Sequence, residues 1–103
     1  MIGAPGSAAY SASKHGVVGL TRSAAKEVGD REIRINCVCP GSTWTPMLES
    51  ATAAGGRVGA DFPTAIKRYG TAEELAGIIG FLVGPESGFV TGAVYMGDGG
   101  WNC

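Results

Sequence analysis

The sequence has no surplus of charge: 8 Lys and Arg stand against 9 Asp and Glu, for a net charge of −1. That balance leaves no electrostatic footprint for nucleic acid or for an anionic membrane. No run approaches the ~20 apolar residues a membrane span needs. The opening MIGAPGSAA has no basic start followed by an apolar stretch, so it does not read as a secretory leader. These absences leave the cytoplasm as the expected compartment. Cysteine and histidine are scarce too. The odd set Cys37, Cys39 and Cys103 argues against a closed disulfide framework, and with one histidine there is no second Cys/His pair to complete a zinc site. Cys37 and Cys39 share a face of a strand-like apolar run and read as small core side chains in a reducing setting.

What the sequence has in excess is glycine, 18 of 103 residues, more than twice the usual ~7%. The glycines are scattered among apolar runs, so neither a collagen-like nor a low-complexity chain is indicated. The length allows one domain at most.

From about Ala8 to Val28 apolar and small residues recur three or four apart (Val17, Leu20, Ala24, Val28), which predicts a helix stopped near Gly29 and Asp30. Gly16 and Gly19 each cost that helix up to about 1 kcal/mol relative to alanine, so a close neighbour is expected to compensate. IRINCVC (33–39) is partly alternating and β-branched and predicts a strand that ends at Pro40-Gly41. Thr45 and Pro46 suit the N-cap and first position of a short helix. A break is expected over 53–60 and a helical turn over 61–67. Thr71 and Glu74 form a capping-box signature before the apolar face Leu75, Ile78, Ile79, Leu82. AVYM (93–96) predicts a second strand, and Asp98-Gly99-Gly100 predicts a turn. Helix, strand, helices, strand is the alternation of a parallel α/β sheet. Two strands alone are marginal, and parallel sheets normally carry helices on both faces, so the chain reads as part of something larger.

The stretch PGSAAYSASKHG places Tyr10 four residues before Lys14. On a helix these share a face, about 5–6 Å apart at Cβ. An ammonium near a phenol favours the phenolate, and a tyrosine so tuned serves as a general acid or base near neutral pH. Spacing alone is weak evidence, since such pairs arise by chance on many helices. Trp44 could shape a pocket or shield a loop, and His15 reads as a solvated helix residue.

Three stretches together carry more. YSASKHGVVGLTRSAAKE resembles the catalytic helix of the short-chain dehydrogenase/reductase family, with its Tyr-x-x-x-Lys core. IRINCVCPGSTWTPM resembles the following strand with its Pro-Gly and Thr-Pro-Met, and FVTGAVYMGDGG resembles the closing strand and Asp-Gly-Gly. The resemblance covers nearly the whole chain, in the family's order. It implies the C-terminal part of a Rossmann-like doubly wound parallel sheet, with residues 1–103 a C-terminal fragment of one such domain and the N-terminal strands missing. It implies hydride transfer between NAD(H) or NADP(H) and a small alcohol/carbonyl substrate. Tyr10 corresponds to the acid/base, and Lys14 to the lysine that makes the phenol more acidic and hydrogen-bonds the nicotinamide ribose; both count among the cofactor-binding residues. Pro40, Gly41 and Thr43 match the segment along the nicotinamide, and Thr45 the threonine that contacts carboxamide or phosphates. Residues 46–68 match a variable flap, and the helix from Ser11 to Val28 matches one that packs between subunits, implying a dimer or tetramer of the full-length form. The family's serine about a dozen positions before the tyrosine, its asparagine on an earlier helix and its glycine-rich pyrophosphate turn have no counterpart here, nor does the residue that chooses between NAD and NADP. The chain alone is therefore expected to fold poorly and to be inactive. The alternative reading is a non-catalytic interaction module that pairs through the helix at 11–28.

Overall fold

A computed structural model describes residues 3–53 and 64–102. Helix α1 spans Ala8–Val28 and starts at Ser7, whose carbonyl accepts the Ser11 N–H at 2.8 Å. It runs unbroken through Gly16 and Gly19. Nothing lies within 4 Å of where a Cβ on either glycine would stand, so no contact within the described chain compensates for them. The α-helix stops at Val28 with Gly29 as its C-cap, as expected. Gly29 stays helical and opens a 3-10 turn, Gly29–Arg31. Glu32 turns the chain in the left-handed region (φ 56°), and its N–H donates to the Gly29 carbonyl at 3.0 Å.

Strand β1 is shorter than predicted, Cys37–Pro40. Side chains take over its expected first half. Ile35 N–H donates to Thr91 Oγ1 (3.1 Å), Asn36 Nδ2 to the Val90 carbonyl (2.9 Å), and Ala93 N–H to Asn36 Oδ1 (3.0 Å). Gly92 is left-handed at φ 69°; its N–H still donates to the Ile35 carbonyl at 2.7 Å, and the asparagine amide carries the pairing on from there to β2. Below it, Arg34 reaches Ser87 Oγ (3.0 Å) and the Val90 carbonyl (3.4 Å). Ser87 is fully buried, so this network satisfies polar groups that water does not reach.

Strand β2, Val94–Gly97, lies parallel to β1 in the register Cys37↔Val94 to Pro40↔Gly97. Pro40 sits at the strand end, where a missing N–H costs the ladder least. Parallel neighbours require a crossover. Here it contains α2 (Pro46–Ala53) and α3 (Ala72–Val83). Thr71 accepts the Glu74 N–H and Glu74 accepts the Thr71 N–H, which completes the expected capping box. Gly97 lets α3 close on the sheet: a Cβ there would lie 2.7 Å from Leu75 Cδ1. Phe81 and Tyr95 meet edge-on, with centroids 6.4 Å apart. The break expected over 53–60 lies outside the described residues except for Ala53, which ends α2, and so do positions 61–63 of the expected helical turn. Residues 64–66 form bends and 67 is irregular, so no helix forms there; Ile66 N–H donates to the Gly99 carbonyl at 2.9 Å, a tertiary bond replacing the helical one.

Among the described residues the buried apolar side chains are few: Ala25, Cys37 and Leu82. The architecture is α/β, a parallel pair with helices, as the alternation predicts. No described helix is long and apolar enough to cross a membrane.

Candidate functional site

Tyr10 and Lys14 lie in the first turns of α1. The Lys14 ammonium stands over the tyrosine ring, 5.3 Å from its centroid, a cation–π distance. Tyr10 is 65% exposed. Among the described residues neither side chain makes a hydrogen bond, so both are open to a ligand. Their neighbours serve the helix itself: Ser13 Oγ donates to the Tyr10 carbonyl (2.7 Å), and His15 Nδ1 lies 2.8 Å from the Ser11 carbonyl. His15 is an exposed helix residue, as expected.

Pro40, Gly41, Thr43 and Thr45 lie on one continuous stretch after β1. Gly41 N–H extends the ladder to the Gly97 carbonyl at 2.9 Å. A Cβ at Gly41 would fall 2.6 Å from the Asp98 Cα, so only glycine fits. Thr43 forms a parallel bridge with Gly70, flanked by Gly70 N–H to the Ser42 carbonyl (3.0 Å) and Trp44 N–H to the Gly70 carbonyl (2.9 Å). Trp44 packs on Tyr69 with centroids 5.5 Å apart. Thr45 Oγ1 accepts the Leu48 N–H at 3.3 Å, which makes it the N-cap of α2 with Pro46 first in the helix. No hydrogen bond joins this loop to Tyr10 or Lys14 among the described residues.

Asp98 was foreseen only as a turn residue. Its carboxylate collects three donors: Gly100 N–H (3.0 Å), Asn102 N–H (3.1 Å) and Asn102 Nδ2 (2.6 Å). The Asn102 amide above all, with these backbone N–H groups, holds the carboxyl below its ordinary range against the opposing effect of burial. Arg34, Asn36 and the Arg68–Glu74 pair were not foreseen either; their partners are distant or lie in loops. Cys37 and Cys39 are free thiols, and burial followed by the neighbouring Cys37 pushes the Cys39 thiol up. Such a thiol stays protonated and inert. No cluster of three metal-ligating residues exists among the described residues. A cavity of about 440 Å³ opens among Ser42, Ile66, Leu75, Ile78 and Asp98. Tyr10 and Lys14 do not line it.

A family profile described as enoyl-(acyl carrier protein) reductase matches residues 1–102. A short-chain dehydrogenase/reductase ABA4 from Pyricularia oryzae is 52% identical over 97 residues, covering 91% of this chain and 36% of the relative. A solved short-chain dehydrogenase/reductase variant from Serratia marcescens superposes with TM-score 0.86 at 38% identity, covering all of this chain and 41% of its own. A 4-hydroxyisoleucine dehydrogenase solved with NADH matches with TM-score 0.75 at 33% identity, covering 92% and 38%. A blue fluorescent protein from a metagenomic library, solved with NADPH, matches with TM-score 0.79 at 35% identity, covering 91% and 37%. The chain thus spans well under half the length of the proteins it matches.

Proposed function

The chain belongs to the short-chain dehydrogenase/reductase family, and from that premise we infer that it is the C-terminal, proton-transferring part of a nicotinamide-dependent oxidoreductase domain acting on an alcohol/carbonyl pair. The observation that carries this reading is the open Tyr10–Lys14 pair on one helix face, with the ammonium 5.3 Å from the ring centroid.

The residues present suit the nicotinamide end of such a cofactor. Lys14 offers three donors and no acceptor, a match for ribose hydroxyls. The Pro40–Thr43 backbone is pinned by the Gly41 N–H bond to the Gly97 carbonyl and by the Thr43–Gly70 bridge, a fixed edge for a flat ring to lie along. When bound, the nicotinamide supplies or accepts the hydride. Tyr10 Oη holds the proton: it donates to the carbonyl oxygen in reduction and takes the hydroxyl proton in oxidation. Thr45 holds the start of α2 and leaves a hydroxyl beside the same loop. The pyrophosphate end, the choice between NAD and NADP, and the pairing of α1 between subunits of a dimer or tetramer belong to the whole domain, of which residues 1–103 form the C-terminal part. A cytoplasmic setting suits free, inert thiols.

The test is Tyr10→Phe in the full-length protein. Turnover should fall by at least about 100-fold, the low end for losing a general acid/base, with cofactor binding nearly unchanged. Retained turnover would remove Tyr10 from the assigned role.

A further inference from the structure

Asp98 stands where three segments meet. It follows β2 directly, and its Cα and Cβ lie 2.6 and 2.8 Å from where a Cβ on Gly41 would sit. The next residue, Gly99, accepts the Ile66 N–H at 2.9 Å, and Gly97 accepts the Gly41 N–H at 2.9 Å. Two segments of the crossover, 41–45 leaving β1 and 64–66 approaching α3, therefore rest on one turn. That turn is closed on itself: Gly99 and Gly100 are left-handed at φ 63° and 82°, and the Asp98 carboxylate takes the N–H groups of Gly100 and Asn102 and the Asn102 amide. The 440 Å³ cavity opens beside it, between Ser42 and Ile66, so on that side the two segments are not held by packed side chains.

We propose that Asp98 is a positioning residue for the cofactor segment: by closing its own turn it sets, through the contact with Gly41, where the Pro40–Thr43 backbone stands. This rests on the nicotinamide reading of residues 40–45 given above. A carboxylate is acceptor-only, which suits a position faced by three donors. In an Asp98→Asn variant one oxygen becomes an NH₂ group and must confront at least one of those N–H donors. The turn then opens and Gly41 moves with it.

The experiment uses the full-length protein, wild type against Asp98→Asn, Gly41→Ala and the double variant, with two readouts. One is backbone hydrogen exchange over 40–45, with α3 as internal reference. The other is steady-state kinetics with NADH and with NADPH. Asp98→Asn should speed exchange over 40–45 while α3 stays as in the wild type. The Michaelis constant for the cofactor should rise roughly tenfold, a modest share of what small misplacements cost. A merely structural role would reduce the active fraction, lowering kcat with the cofactor Michaelis constant unchanged, and that result overturns the proposal. The double variant should be no worse than the worse single one, since both act through one contact; additive losses also overturn it. If exchange over 40–45 rises but the wild type shows no saturable use of either cofactor, Asp98 does hold the segment, and it is the nicotinamide reading that fails. Unchanged exchange over 40–45 overturns Asp98 as the positioning residue whatever the kinetics show.

Discussion

One added methyl group separates Gly41 from a clash with backbone. Because the neighbour is the Asp98 Cα and not the end of a flexible side chain, Gly41→Ala forces main chain to move. We expect a loss of about 1–3 kcal/mol, the usual cost of overpacking, read from denaturant midpoints of the full-length protein at constant m-value. Gly16→Ala is the contrast. Nothing within the described chain meets the new methyl, so alone it should stabilise α1 by up to about 1 kcal/mol. If the same change weakens self-association in the full-length protein, measured by sedimentation, the partner helix that the glycine accommodates has been located. The sequence puts Gly16 inside a helix and Gly41 after a strand, yet shows no crowding at either. Only the fold, which brings residue 98 onto residue 41, tells them apart.

At the scale of elements, α3 was the most legible part of the chain, because its start is written locally. Thr71 and Glu74 are three residues apart and satisfy each other without help from the rest of the fold. Thr71→Ala should cost about 1 kcal/mol, measured by thermal unfolding followed at 222 nm. The same Glu74 makes a forked pair with Arg68, at 2.9 and 2.6 Å. That arginine first, then the Thr71 N–H, lowers its carboxyl from the ordinary 4.5 to about 2. A carboxylate depressed on folding contributes fully above its unfolded value and loses the contribution as pH falls through the folded one. The link between loop 68–70 and α3 should therefore persist down to about pH 4.5 and fade from there towards pH 2. Both side chains are about half exposed, so salt should weaken it as well. Chemical shifts of Thr71 and Glu74 followed against pH would show this, and a midpoint near 4.5 would refute the pairing. Strand β1 was less legible, for a physical reason. Its first half has the right residues, yet the partner, more than fifty positions later, turns left-handed at Gly92, so one main-chain bond to Ile35 and the Asn36 amide stand in for a regular ladder. Periodicity sees a strand's own side chains but not its neighbour's backbone.

For the molecule as a whole, surface decides. The chain exposes 7242 Å², whereas a compact monomer of 10.4 kDa would expose roughly 5,400 Å² by the usual scaling. Part of the excess is apolar side chain: Leu20 on α1, Val83 at the end of α3 and Phe89 beyond it are all well exposed. β1 pairs on one side only among the described strands, and an open parallel edge invites association. Residues 1–103 expressed alone should therefore melt broadly, without a cooperative baseline, and bind dyes specific for exposed apolar surface. A sharp two-state transition in calorimetry would contradict this. The alternation of elements, with only two strands in it, had already pointed to an incomplete sheet. The contacts that position its loop, Gly41 with Asp98 and Thr43 with Gly70, link residues 57 and 27 apart in sequence, and no local pattern announces such pairs.

The contact between Gly41 and Asp98 has an optical consequence. The chain's two tryptophans flank it symmetrically, Trp44 three residues after Gly41 and Trp101 three residues after Asp98. Trp44 leans on the Tyr69 ring, with centroids 5.5 Å apart, close enough for light absorbed by the tyrosine to emerge from the indole. Each side of the crossing thus carries its own lamp. Single Trp→Phe variants would separate the two emissions, and the one from Trp44 would change colour whenever the segment beside it is let go.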